Sequence, residues 1–349
     1  MLEVRTLTDG GQDPVEVARQ LADFLDSAER SLDIAVYDFD LEQASAKLVA
    51  DAITESASRG AAVRLAFNVD HELPIPEPPP PRGEPSLVDA LDVPTKPIPG
   101  VPDLMHHKYA IRDGESVWTG STNWTDDSFS RCENVVAVVE SAGIATAYGV
   151  DFEQLWQRGS VAESGFVDPD PVKVDGRRMR AWFSPGRGEA LATRIAQRVA
   201  KARRRVRLCS PVLTSAPILG ALAEKVSDAK VDVAGVVDAT QMQGVYYQWQ
   251  LNGNSTWKLP LVARVFSSPF TGKRSTPYGQ GDVHDFMHAK VTVADDIVFL
   301  GSYNLSHSGE QNAENVLEIR DAELAERLAA WIDEVRGLYP PAPVPDLAT

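Results

Sequence analysis

Three residue types recur as two matched sets, His106, Lys108 and Asn123 in the first half of the chain and His288, Lys290 and Asn304 in the second. Each copy reads H-x-K-x4-D, then a short gap, then G-S-x-N. Asp113 and Asp295 close the first block, and Gly120-Ser121-Thr122-Asn123 and Gly301-Ser302-Tyr303-Asn304 form the second. A Glu-Asn-Val lies ten residues past each Asn, at Glu133 and Glu314. Imidazole attacks or protonates near neutral pH, so a pair of them suits covalent cleavage of a phosphodiester: one attacks phosphorus and the other protonates the leaving oxygen. Two ammonium groups and two amides converging from both halves would offset charge on the non-bridging oxygens. A carboxylate fixes an imidazole tautomer, and Glu133 and Glu314 are the candidates.

The elements around these residues repeat as well. Asp13-Pro14-Val15-Glu16 reads as an N-cap, a Pro at N1 and an acid at N3, opening a helix with Val15, Ala18, Leu21, Ala22 and Leu25 on one face. A strand through Leu32, Ile34 and Val36, a helix over about 41–58 and a strand over 62–69 follow. The second half gives a helix with Leu191, Ile195 and Val199, a strand over 206–209, a helix over about 216–226 and a strand over 231–237. Each motif then leads through a strand into a closing helix, ending near Trp156 and Arg336. Alternating strands and helices predict an α/β sandwich in each half.

This divides the chain into a first repeat over 1–158, a linker over 159–176, a second repeat over 177–338 and a Pro-rich tail over 339–349, expected outside the core. Two insertions interrupt the repeats. The Pro-rich one, 71–104, excludes regular helix and central strand; the aromatic one, 239–286, carries Tyr246, Tyr247, Trp249, Trp257 and Phe270. Both are expected to wall the site, with surface packing the alternative.

With both motifs laid out, the chain resembles the phospholipase D superfamily, whose members carry two HKD motifs. The resemblance covers both halves and rests on the duplicated His, Lys, Asn and Glu. It implies two tandem phospholipase D-like α/β sandwich repeats related by a pseudo-twofold axis, with the site between them, a phosphohistidine intermediate and no required metal or other cofactor. It implies that His106 is the nucleophile and His288 the general acid, and that Lys108, Lys290, Asn123 and Asn304 bind phosphate. It also implies that the acids cross over, Glu314 to His106 and Glu133 to His288, and that Asp113 and Asp295 are structural. Two departures stand out. The gap from Asp to Gly is one residue longer in the first copy, as a hairpin turn of variable length allows, and His106 is doubled by His107, which on a strand points to the opposite face.

Composition narrows the rest. The apolar and charged fractions are those of a globular protein, and two cysteines give no disulfide framework. No signal-like leader and no stretch of membrane-spanning length is present, so cytoplasmic localisation without stable membrane insertion is expected; no protein partner is readable. A net charge of −16 opposes wrapping of a nucleic-acid backbone but allows a locally basic cleft. The run Lys201-Ala202-Arg203-Arg204-Arg205-Val206-Arg207 reads better as the solvated last turn of a helix than as a phosphate patch. His284 and His288 could suggest zinc, but the first copy has no counterpart to His284. Cys132 reads as a small buried hydrophobe, and neither His71 nor His307 has a repeat partner. The phosphodiester substrate is then nucleic acid or, alternatively, glycerophospholipid; a silent binding module ranks last because the His, Lys and Asn sets are complete.

Overall fold

The computed structural model describes residues 1–69, 85–228, 230–277 and 283–347. The first half runs β1 (Leu2–Leu7), α1 (Pro14–Asp26), β2 (Ser31–Val36), β3 (Phe39–Asp40), α2 (Gln43–Ser58), β4 (Ala62–Val69), α3 (Pro85–Asp89), β5 (Thr95–Pro99), β6 (Lys108–Arg112), β7 (Ser116–Gly120), β8 (Trp124–Thr125), α4 (Asp126–Ser130), β9 (Asn134–Glu140) and α5 (Ala142–Arg158). The second half runs β10 (Val172–Val174), β11 (Arg177–Ser184), α6 (Gly188–Lys201), β12 (Arg205–Ser210), α7 (Ala216–Asp228), β13 (Asp232–Asp238), α8 (Ala239–Asn252), α9 (Leu259–Phe266), β14 (Phe270–Lys273), β15 (Val291–Ala294), β16 (Ile297–Gly301), α10 (His307–Gln311), β17 (Glu314–Arg320) and α11 (Ala322–Leu338).

One sheet has the order β1-β9-β7-β6-β2-β4-β5, the other β10-β11-β17-β16-β15-β12-β13-β14. Without the extra edge strand β10 the two orders match strand for strand, so the halves are repeats of one α/β unit about a pseudo-twofold axis. Parallel neighbours need a crossover, which α2 supplies between β2 and β4 and α7 between β12 and β13. α1 starts where the sequence places it, with the Asp13 carboxylate accepting from Val15 N–H.

Alternation along the strands sends side chains to two cores. Leu32 and Ile34 face α1 and α2 on the outside of the first sheet, while Ala35 and Ala66 face inward. Leu208 and Val233 likewise face α6 and α7 outside the second sheet. The inner faces of both sheets share one central core with α5 and α11. Leu328 of α11 is fully buried there, so truncation to Ala costs about 2–5 kcal/mol. This shared core fixes the two halves against each other.

Several elements depart from expectation. β1 and β11 open the repeats as outer strands and were not anticipated; β11 pairs with β17 over seven residues and β1 with β9 over six. The presumed linker is packed, with Val161, Ser164 and Val167 buried and β10 laid on β11. Within the Pro-rich insertion, His71 and Pro78 to Pro81 lie outside the described residues; of the rest, Pro85 starts a short helix, where a first-turn Pro costs nothing, and 95–99 is an edge strand parallel to β4. The aromatic insertion is mostly helical, as α8 and α9, with β14 continuing the sheet. The tail is also bound: Gly272 N–H donates to Pro340, Ala342 N–H to Phe270 and the Tyr246 hydroxyl to Pro343. The basic run is not a single helical turn: Lys201 ends α6, Arg203 and Arg204 occupy the loop, and Arg207 on β12 is buried against Asp232 and Asp333.

Candidate active site

β6 begins at Lys108 and β15 directly after Lys290, so each motif histidine stands just before an inner strand of its sheet. The residue ahead of each histidine is pinned from a strand two places across the sheet. Met105 N–H donates to Asn68 Oδ1 at 3.0 Å and Met287 N–H to Asp238 Oδ2 at 3.1 Å. Asn68 and Asp238 occupy equivalent positions of β4 and β13. They were missed because neither belongs to the motif, although each puts a polar side chain at or next to the end of a buried strand.

The two motif aspartates act as turn clamps. Asp113 accepts backbone N–H groups from Glu29, Arg30 and Ser31, and Asp295 accepts them from Arg203, Arg204 and Arg205. Both adopt positive φ, +57° and +53°, in the hairpin turns before β7 and β16. Burial pushes their carboxyls up, but the backbone donors outweigh it and leave them below the ordinary value of 3.8. Gly120 and Gly301 are dictated by close approach: a Cβ at either would fall 2.1 Å from the carbonyl oxygen of Val135 or Asn315.

His106 is buried and its Nδ1 lies 2.8 Å from both oxygens of Glu314, so the carboxylate of the second half orients the histidine of the first. The Tyr37 ring packs edge-on to the imidazole, centroids 4.7 Å apart, and sits 4.8 Å from Lys108 Nζ. Lys108 Nζ donates to the His106 carbonyl at 2.6 Å, and Lys290 Nζ to the His288 carbonyl at 2.6 Å. The Asn123 and Asn304 amide oxygens are buried with no hydrogen-bond partner among the described residues.

The expected pairing of Glu133 with His288 does not form. His288 Nδ1 faces Asn134 Oδ1 at 3.1 Å, while the Glu133 carboxylate takes Lys273 Nζ at 3.1 Å and the Tyr339 hydroxyl. The cause is a one-residue slip between the repeats. Ser121 N–H donates to Val135 and Ser302 N–H to Asn315; His288 N–H donates to Glu133 and His106 N–H to Ala313. Asn134, the first residue of β9, is therefore the structural counterpart of Glu314, the first residue of β17. The first copy carries Arg131-Cys132 between α4 and the bridging Glu133, where the second has only Asn312 between α10 and Ala313. A slip of one residue turns a strand side chain to the other face, so Glu133 points away from His288. The Asn134 amide is fixed by its other bonds: Oδ1 accepts from Ser121 Oγ and Nδ2 donates to Ser128.

Electrostatics draws both halves into one site. Burial and then the charges of Lys108, Lys290 and His288 push His106 well below its ordinary 6.5, and burial with Lys290 and Lys108 does the same to His288. Burial brings Lys108 down to about 7, and burial together with the charge of Lys108 holds Lys290 well below its ordinary 10.5. Burial pushes the Glu314 carboxyl above its ordinary 4.5, and the Lys108 ammonium pulls it back. Two desolvated ammonium groups facing two histidines are set to receive an anion, whose charge would restore theirs.

The other candidates fall outside this cluster. His107 is buried beneath it, its Nδ1 accepting from Asn315 and its Nε2 3.0 Å from Asp151. His284 stacks on Phe286, and His307 is exposed at the start of α10. Cys132 is a buried thiol pushed up to about 12 by desolvation.

The family model described as the cardiolipin synthase PLD-like domain matches residues 21–156 and 195–336, one segment in each repeat. The chain belongs to the phospholipase D-like family. Among curated relatives, this phospholipase D-like chain is similar to the mitochondrial cardiolipin hydrolase of Xenopus laevis, 39% identical over 18% of the chain and 30% of the relative. The human mitochondrial cardiolipin hydrolase is 29% identical over 23% of the chain and 35% of the relative. The chain thus spans about a third of the length of either. A solved phosphatidylserine synthase from Haemophilus influenzae shares the fold over 95% of this chain and 85% of its own, with a TM-score of 0.66 and 12% identity.

Proposed function

We propose that the protein is a metal-independent phosphodiesterase working through a phosphohistidine, with His106 as nucleophile and His288 as general acid. The observation that carries this reading is the unequal partnering of the two imidazoles. A buried carboxylate on Nδ1 selects the tautomer with a free Nε2 lone pair and stabilises the cation that forms when Nε2 bonds phosphorus, which suits the nucleophile. A neutral amide on Nδ1 orients His288 without stabilising its protonated form, leaving a stronger acid.

In the first step His106 Nε2 bonds to phosphorus, the bond to the leaving oxygen breaks, and His288 Nε2–H gives that oxygen its proton. Water then attacks phosphorus, His288 takes its proton, and the P–N bond breaks to free a phosphomonoester and His106. Lys108, Lys290, Asn123 and Asn304 hold the non-bridging oxygens throughout, where charge grows in the transition state.

For the substrate we propose a glycerophospholipid rather than nucleic acid. The curated relatives named above are described as cardiolipin hydrolases, and a net charge of −16 disfavours a long polyanion. The test is turnover in excess EDTA of phosphatidylglycerol and cardiolipin vesicles beside labelled single-stranded DNA, with His106→Ala as control. Release of lipid product by wild type alone supports the proposal; cleavage of DNA alone replaces the substrate, and loss of all activity in EDTA removes the metal-free mechanism.

A further inference from the structure

Residues 239–257 contain no Asp, Glu, Lys or Arg, in a chain with 50 acidic residues and a net charge of −16. They form α8 and the turn after it, and they concentrate exposed apolar side chains: Tyr247 is 66% exposed, Leu251 70% and Trp257 58%. Tyr247 and Leu251 are four apart on α8 and share a face. Its other side is tied down, with Met242 buried and the Tyr246 hydroxyl bonded to Pro343.

This surface lies at the catalytic end of the sheet. α8 starts directly after β13, whose last residue, Asp238, holds the backbone ahead of His288. Lys258 Nζ lies 5.5 Å from the Trp249 ring and 5.6 Å from the Trp257 ring, and it donates to the Thr214 carbonyl at 3.0 Å. Thr214 N–H in turn donates to Leu305, the residue after Asn304. Three contacts therefore link the exposed tryptophan to the neighbour of a phosphate-binding amide.

We propose that Tyr247, Leu251 and Trp257 form a docking surface for a phospholipid bilayer, seating the protein at the interface with its active site facing the headgroups. The inference rests on the phosphodiesterase reading of that site and adds how a membrane-embedded diester reaches it. Three features favour a bilayer. Trp and Tyr have the amphipathic character suited to the headgroup level, and Leu supplies the apolar part. The stretch lacks the cations that a nucleic-acid track needs. It also lacks the anions that elsewhere on this acidic chain would repel an anionic bilayer.

The experiment compares wild type with Tyr247→Ser/Leu251→Ser/Trp257→Ser, using Phe166→Ser, at another exposed site (62% exposed), as control. Each is assayed for co-sedimentation with phosphatidylglycerol vesicles, turnover of those vesicles, and turnover of soluble bis(p-nitrophenyl) phosphate. The triple variant is expected to lose vesicle binding and vesicle turnover about tenfold or more, with soluble turnover and the control unchanged. If the triple variant does not fold, Leu251→Glu alone must give the same split. Wild-type vesicle binding that survives the substitutions overturns the proposal, as does loss of single-stranded DNA binding, or of a dimer in sedimentation, in place of vesicle binding. Vesicle binding lost on substitution while wild type never turns over the soluble diester would support the surface and defeat the catalytic reading.

Discussion

Glu133 and Glu314 have the same offset in the sequence, so replacing each with Gln separates what the fold does with them. In Glu314→Gln the charge on His106 Nδ1 disappears, and exchanging a charge-assisted for a neutral hydrogen bond loses about 1–2 kcal/mol, about tenfold in rate. Orientation adds to this. Ser302 and Asn312 donate to the carboxylate and will hold the amide oxygen, turning its NH2 toward His106 Nδ1 and selecting the wrong tautomer. The combined loss in kcat is expected to reach about 100-fold or more. Glu133→Gln instead weakens a buried pair with Lys273, which keeps its second partner Asp9 at 3.1 Å. The cost should fall near the low end for a broken buried pair, about 3 kcal/mol, lowering the melting midpoint by several degrees with kcat within about threefold. The assay is turnover of a soluble chromogenic diester beside thermal melting of both variants. Equal losses of turnover, with the melting of Glu133→Gln unchanged, would refute the slipped register.

Four further outcomes are expected. Tungstate, as a phosphate mimic, should bind more weakly as pH rises above about 7, because Lys108 sits near that value in the free protein and loses its proton; pH-independent inhibition would deny the lysines their role. Asn134→Asp should hand His288 a carboxylate, raise its pKa and slow departure of poor leaving groups more than good ones; a uniform effect would count against general-acid catalysis there. Asp113→Asn should cost about 1–3 kcal/mol in urea melts near neutral pH. Because the folded carboxyl lies below its ordinary value, its stabilisation is present above 3.8 and lost as pH falls through the lower folded value, so the variant should show a flatter acid limb. Tyr339→Phe should destabilise the tail without changing the pH profile, as Tyr339 reaches Glu133 and not a histidine.

The chemistry was legible because it is carried by short-range spacing. H-x-K places His and Lys at the head of one strand, and G-S-x-N marks the close approach of the next, so all six residues and the two turn aspartates could be read before folding. The crossed pairing of Glu314 with His106 was implied by the family resemblance. Its mirror image did not, because both copies keep Glu-Asn-Val ten residues past the Asn, and nothing local shows that one follows a longer exit from its helix. Only the ladder register decides which residue of a strand faces the histidine. Tyr37, Lys273 and Tyr339 were hidden for a different reason: they reach the site or its acids across the fold, Tyr339 from 206 residues away, and no periodicity encodes such contacts. The opening strands β1 and β11 pair with β9 and β17, so their place depends on the far end of each repeat.

The central claim is that His106 is covalently phosphorylated and His288 protonates the leaving group. The most direct measurement is acid-free mass spectrometry of His288→Ala quenched during turnover of a diester, with His106→Ala alongside. The account predicts an acid-labile phosphoryl adduct on His106 in the first variant and none in the second. An adduct on His288 in His106→Ala, with none on His106 in His288→Ala, would contradict it.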